Sequence, residues 1–186
     1  MVLEFSMIHA GQRHDARLEA LERWLSQQLP ERRLSLAPAS ADASFRRYFR
    51  ATLDDGSTYV AMDAPPDKED CRPFVHVAAL LQHAGVHAPR VHAQDLAQGF
   101  LLLSDLGTRT YLEVIDEANA PRLFAEATDA LVRWQLASRP GELPPYDEAL
   151  LRREMQLFPD WYVARHLGTR LSPAQAESLE GVFRLL

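Results

Sequence analysis

Arg46 and Arg47 follow a run of small and polar residues, Ser40 to Phe45, that falls between two candidate strands. A hydroxyl such as that of Ser44 beside guanidinium groups can contact phosphate, because the guanidinium fork matches phosphate oxygens in geometry and charge. An ordinary hairpin with solvated arginines uses the same residues, and residue type alone leaves both readings open. A second set lies late in the chain: Glu154, Phe158, Trp161 and Tyr162. Aromatic faces stack on sugar rings and a carboxylate accepts hydrogen bonds from sugar hydroxyls, although such a stripe is also what a helix buries in a core. Other chemistries fall away. His83 and His87 are four apart, but Gly85 ends the helix between them and spoils an i, i+4 metal pair. No G-x-S-x-G or G-x-x-x-x-G-K-[ST] motif is present. Cys71 beside Arg72 reads as an inert thiol.

Composition sets what any reading must satisfy. With 186 residues, 47% hydrophobic and 25% charged, the chain has ordinary globular values and room for one sizeable domain or two small lobes. A net charge of −6 argues against a nucleic-acid surface. Lys68 is the only lysine, and Cys71 the only cysteine, which excludes an internal disulfide and suits a reducing cytoplasm. No apolar run reaches membrane-spanning length, no secretory signal opens the chain, and no membrane partner is expected.

The elements that must position these residues follow from periodicity. Leu18, Leu21, Trp24, Leu25 and Leu29 recur at helical spacing behind an Asp15 cap. Leu34 to Ala37 and Arg46 to Leu53 read as strands, and Asp54-Asp55-Gly56-Ser57 turns the chain into a third, Thr58 to Asp63. A helix runs from Pro73 to Ala84, with Gly85 as its stop. Strands at Arg90 to Gln94 and Phe100 to Ser104 follow. Beyond Gly107 the signals are helical: Thr108 to Glu117, a helix opened by Pro121, one capped by Asp147 that kinks or restarts at Pro159, and one opened by the Ser172 capping box. Nothing closes that last helix, so the expectation is an internal cut in a longer protein.

Several segments together carry a resemblance. A-S-A-D-A-S-F-R-R-Y-F-R at Ala39 to Arg50, Y-V-A-M-D-A-P-P at Tyr59 to Pro66 and E-D-C-R-P-F-V at Glu69 to Val75 form the first part. F-L-L-L-S-D-L-G-T-R-T-Y at Phe100 to Tyr111 and R-R-E-M-Q-L-F-P-D-W-Y-V-A-R-H-L-G at Arg152 to Gly168 complete it. The chain resembles the aminoglycoside-phosphotransferase-like kinases, within them the anomeric N-acetylmuramate/N-acetylglucosamine 1-kinases of cell-wall recycling. The resemblance implies an α+β, protein-kinase-like fold. Residues 1–104 would form a nucleotide-binding lobe, a five-stranded antiparallel sheet with one inserted helix. Residues 105–107 would be the hinge, and 108–186 the first part of a helical lobe.

It also implies roles. Phosphoryl transfer rests on positioning and charge stabilisation, so Ser44, Phe45 and Arg46, with the backbone N–H groups of Ala43 to Phe45, are expected at the phosphates. Leu103, Ser104, Asp105 and Leu106 are expected along the adenine, with Leu102 helping to line the slot. Glu154, Phe158, Trp161 and Tyr162 are expected at the acceptor sugar. The implied cofactors are ATP and Mg2+, and the implied partner is a small sugar. Two departures stand out. The strand that carries V-A-I-K in kinases reads Val60-Ala61-Met62-Asp63, which places an aspartate where a lysine pairs the phosphates. The helix after it lacks an acidic residue on its body, the nearest acids being Glu69 and Asp70. H-x-D-x-x-x-x-N, the source of the catalytic base and a metal ligand, occurs nowhere in the chain. No catalytic or metal residue is therefore assigned, and Asp105-Leu106-Gly107 is not read as a metal-binding D-F-G. The segment alone is expected to bind nucleotide weakly and not to turn over. The alternatives are a phosphotransferase acting on an antibiotic or another metabolite alcohol, and a non-catalytic nucleotide-binding or regulatory module.

Overall fold

The computed structural model describes residues 15–30, 32–41 and 44–186, with the side chains of 40 and 41 excepted. Expectations that fall on Asp42, Ala43 or the first fourteen residues lie outside that set. Helix α1 spans Ala16–Gln28, and its N-cap Asp15 accepts a hydrogen bond from the Leu18 amide at 3.0 Å. Strands β1 (Leu34–Ala41), β2 (Arg47–Leu53) and β3 (Thr58–Asp63) are followed by helix α2 (Arg72–His83), then β4 (Val91–Asp95) and β5 (Phe100–Ser104). All pairings are antiparallel, in the order β1-β2-β3-β5-β4. β1 runs four residues past the expected Ala37, through Pro38. It is an edge strand, where a proline need not donate to the ladder, and its register shifts between Pro38 and Ser40.

The two faces of the sheet have different partners, and strand periodicity decides which residue meets which. On one face α1 buries Leu21, Trp24 and Leu25 against Ala61, Phe100 and Leu102, with Trp24 and Phe100 rings 5.8 Å apart. On the other, Met62, Ala64, Leu101 and Leu103 pack with Phe74 and Val75 of α2. At Gly99 the β4–β5 turn passes under the backbone of Ala64, whose amide donates to the Gly99 carbonyl at 2.9 Å. With φ at +75° and an added Cβ falling 1.8 Å from the Ala64 oxygen, only glycine fits there.

The chain forms two compact units, one up to Ser138 and one from Arg139 to Leu186. The first also holds α3 (Tyr111–Val114), opened by a Thr110–Glu113 capping box, and α4 (Ala120–Ala137), with Pro121 in its first turn. α3 is shorter than the expected 108–117. In the second unit α5 (Glu148–Leu157), capped by Asp147, continues directly into a π-helix, Phe158–His166. α6 (Pro173–Phe183) starts from the Ser172–Gln175 capping box, and Arg152 pairs with Glu180 to tie α5 to α6. Pro159 marks the restart expected there: α5 ends at Leu157, and the proline lies in the first turn of the widened segment, where an amide hydrogen is not required.

Candidate functional site

On the α2 side of the sheet a cavity of about 350 Å³ opens at the C-terminal end of β5. Its walls are the β2 side chains Tyr48 and Arg50, Val60 of β3, Phe74 of α2, and the run Leu103 to Gly107. The volume is at the lower end of the range for small-molecule sites. All four residues expected at the adenine, Leu103, Ser104, Asp105 and Leu106, line it. Leu102 does not. It sits on the opposite face of β5, buried against α1, because successive side chains alternate across a strand.

Arg50 holds the connection after β5 in place. Its guanidinium donates to the two carboxylate oxygens of Asp105 at 2.6 and 3.1 Å and to the Gly107 carbonyl at 3.1 Å. Asp105 also accepts from the Gly107 amide at 2.9 Å. The Arg50 hydrogen bonds hold the Asp105 carboxyl down at about 2, well below its ordinary 3.8, against the upward pull of burial. Asp105 is thus paired with Arg50. The Ser104 hydroxyl accepts from the Arg90 amide at 2.8 Å, fixing the end of β5 to the residue before β4.

Beyond the cavity, just before β2, lies Arg46. Its Nε and Nη2 donate to one oxygen of Glu69 at 3.2 and 3.1 Å. Burial pulls its guanidinium pKa down, but hydrogen bonds to Tyr48 and Glu69 outweigh that and leave it raised. The Ser44 hydroxyl accepts from the Arg46 amide at 3.1 Å. Phe45 is exposed, with the Lys68 ammonium 5.9 Å from its ring centre. Lys68 also stands 3.6 Å from Asp67 and does not line the cavity.

Asp63 corrects the sequence reading. It is completely buried, but on the face of the sheet opposite the cavity, with Ala61 and Tyr59 toward α1. There it accepts hydrogen bonds from Arg17 Nε at 2.8 Å and Arg47 Nε at 2.9 Å. Arg47 also pairs with Asp15, and Arg17 reaches the Gln98 carbonyl at 2.7 Å. The Arg47 hydrogen bond is the main reason the Asp15 carboxyl falls to about 2. This network joins the start of α1, β2, β3 and the β4–β5 turn. The residue on the cavity side is Met62, fully buried among Leu101 and Leu103. No cation comes from β3. The sequence signal for this was available: Asp63 has the parity of Tyr59 and Ala61, opposite to its neighbours Met62 and Ala64.

In the second unit the π-helix brings Phe158 and Tyr162 together, their rings stacked at 5.5 Å and 21°. His166, which sequence reasoning missed, extends the stack, 5.3 Å from Tyr162. Trp161 instead carries the Arg165 guanidinium 4.6 Å above its ring. Glu154 is exposed one turn before Phe158, 3.8 Å from Arg153. Phe158, Trp161 and Tyr162 are each about half exposed in this chain.

The chain belongs to the phosphotransferase enzyme family (APH), which it matches over residues 35–186. It is 58% identical over 167 residues to the N-acetylmuramate/N-acetylglucosamine kinase of Pseudomonas aeruginosa, covering 84% of this chain and 49% of that protein. The Pseudomonas putida protein of the same name is 51% identical over 183 residues, covering 93% and 54%. The Neisseria meningitidis protein is 45% identical over 161 residues, covering 84% and 48%. The chain spans about half the length of the curated relatives it matches. Among the described residues no helix is long and apolar enough to cross a membrane.

Proposed function

We propose that this chain is the nucleotide-binding part of an ATP-dependent sugar kinase that phosphorylates the anomeric hydroxyl of N-acetylmuramic acid or N-acetylglucosamine. The observation that carries the reading is the cavity at the end of β5. A nucleotide base placed there meets the apolar side chains of Val60, Leu103 and Leu106 and the backbone at Ser104 to Leu106, which can hydrogen-bond its edge. The names of the three relatives supply the sugar.

Within this reading residues 1–104 are the nucleotide lobe, 105–107 the hinge and 108–186 the start of a helical lobe. Ser44, Phe45 and Arg46 attend the phosphates, which a divalent cation such as Mg2+ accompanies. Glu154, Phe158, Trp161 and Tyr162 attend the sugar. The Phe158–Tyr162 stack supports that role, since aromatic faces are what stack on sugar rings. No residue of this chain is assigned as base or metal ligand, because the sequence has no H-x-D-x-x-x-x-N. A sugar 1-phosphate product fits cell-wall recycling, and ATP dependence with a lone cysteine suits the cytoplasm.

The test is an assay of the full-length protein with Mg-ATP. Transfer of the γ-phosphoryl group to either amino sugar, with release of ADP, is expected. Failure to form any sugar 1-phosphate, with turnover of an aminoglycoside or another alcohol instead, would reject the substrate.

A further inference from the structure

The kinase lysine has no counterpart on β3, yet the cavity face of the sheet does carry a cation. Tyr48 and Arg50 line the cavity from β2, and Arg46, just before the strand begins, borders the same α2 side: Arg50 is clamped to Asp105 at one end, Tyr48 lines the middle, and Arg46 stands at the other end. At about 3.4 Å per extended residue, the four steps from Arg50 back to Arg46 span roughly 14 Å. A nucleotide with its base beside Leu103 to Leu106 therefore extends its phosphates toward Arg46. A second cavity of about 290 Å³ borders Arg46 and shares Phe74 and Pro89 with the first.

We propose that Arg46 and Glu69 together replace the lysine–glutamate pair of kinases, with Arg46 binding the phosphates and Glu69 as a positioning residue that aims it. Three observations converge on the pair. Glu69 precedes α2, the helix whose kinase counterpart carries the glutamate, and it is largely buried, with 16% of its side chain exposed. Both Arg46 nitrogens that reach Glu69 converge on one oxygen, so the guanidinium keeps further donors for an anion. Of the other cations, Arg50 is committed to Asp105 and Arg47 to Asp15 and Asp63 on the far face, and Lys68 lines neither cavity. This inference rests on the nucleotide reading of the cavity.

Calorimetric titration of the chain with adenosine and with Mg-ATP separates the two. Arg46→Ala is expected to weaken ATP at least tenfold while leaving adenosine within twofold. Arg46→Lys should recover part of the loss by restoring charge, and Glu69→Gln should weaken ATP several-fold with adenosine unchanged. A merely structural pair would lower the melting midpoint in all three variants without separating the two ligands. Equal ATP affinity in wild type, Arg46→Ala and Glu69→Gln, with adenosine still bound, would overturn the pair alone. If the unaltered chain binds no adenosine, the nucleotide reading of the cavity falls and the pair's role falls with it.

Discussion

Replacing Asp63 by asparagine separates a structural carboxylate from a phosphate-facing one. Asp63 is completely buried and accepts from the Nε and Nη2 groups of both Arg17 and Arg47. A neutral amide keeps one acceptor oxygen and turns an N–H2 toward donors that cannot accept it. Hydrogen bonds to a charged group contribute about 1.5–3 kcal/mol each, against roughly 0.5–1.5 for neutral ones. Breaking a fully buried ion pair costs about 3–5 kcal/mol. The Arg17 and Arg47 side chains are 36% and 38% exposed, however, and recover hydration once released. The expected cost is therefore about 2–3 kcal/mol, a drop of roughly 4–12 °C in melting midpoint for a chain of this size. Thermal unfolding followed by circular dichroism measures it, with adenosine and ATP titrations alongside. Nucleotide affinity should not change beyond the loss of folded protein. Asp63→Lys should abolish folding, since it sets a buried ammonium against two guanidinium groups. The reasoning is refuted if Asp63→Asn leaves the midpoint unchanged, or if Asp63→Lys folds and strengthens ATP binding, as a restored kinase lysine would.

Three further outcomes follow from the same structure. The Asp105 carboxyl is held at about 2 in the folded chain against 3.8 when unfolded, so its contribution is fully present above pH 4 and is lost as pH falls toward 2. That contribution is about 2 kcal/mol at neutral pH, and Asp105→Asn should remove it, flattening the acid limb of a urea-midpoint-versus-pH curve. Gly99→Ala places a methyl 1.8 Å from the Ala64 carbonyl oxygen at a positive φ, and is expected to cost well over the roughly 1–2 kcal/mol of the backbone conformation alone. A soluble variant with an unchanged urea midpoint would contradict that packing. Burial pushes the Cys71 thiol up, so a thiol reagent should label it slowly in the native chain and quickly in denaturant. Rapid labelling under native conditions would show that the start of α2 opens.

Much of the architecture was legible in the residues. The Asp15, Asp147 and Ser172 caps, the Asp-Gly turn and the period-two strands gave five strands and the helices that flank them, because each signal is local and needs no distant partner. Leu103 to Leu106 could be expected along one slot because they leave a strand together. Which face each strand residue takes depends on what packs on either side. Asp63 and Leu102 were therefore misplaced until α1 was seen to cover their side of the sheet. The aromatic ladder through His166 depends on a widened helix that no spacing rule for 3.6 residues per turn anticipates. Ion pairs across many residues of chain, Arg46 with Glu69 and Arg50 with Asp105, appear only in three dimensions. Charge spacing along a sequence does not say which side chains share a face. The sequence by itself determined the elements and the family; the folded sheet decided that β3 contributes no cation to the cavity face and brought Arg46, just before β2, against Glu69.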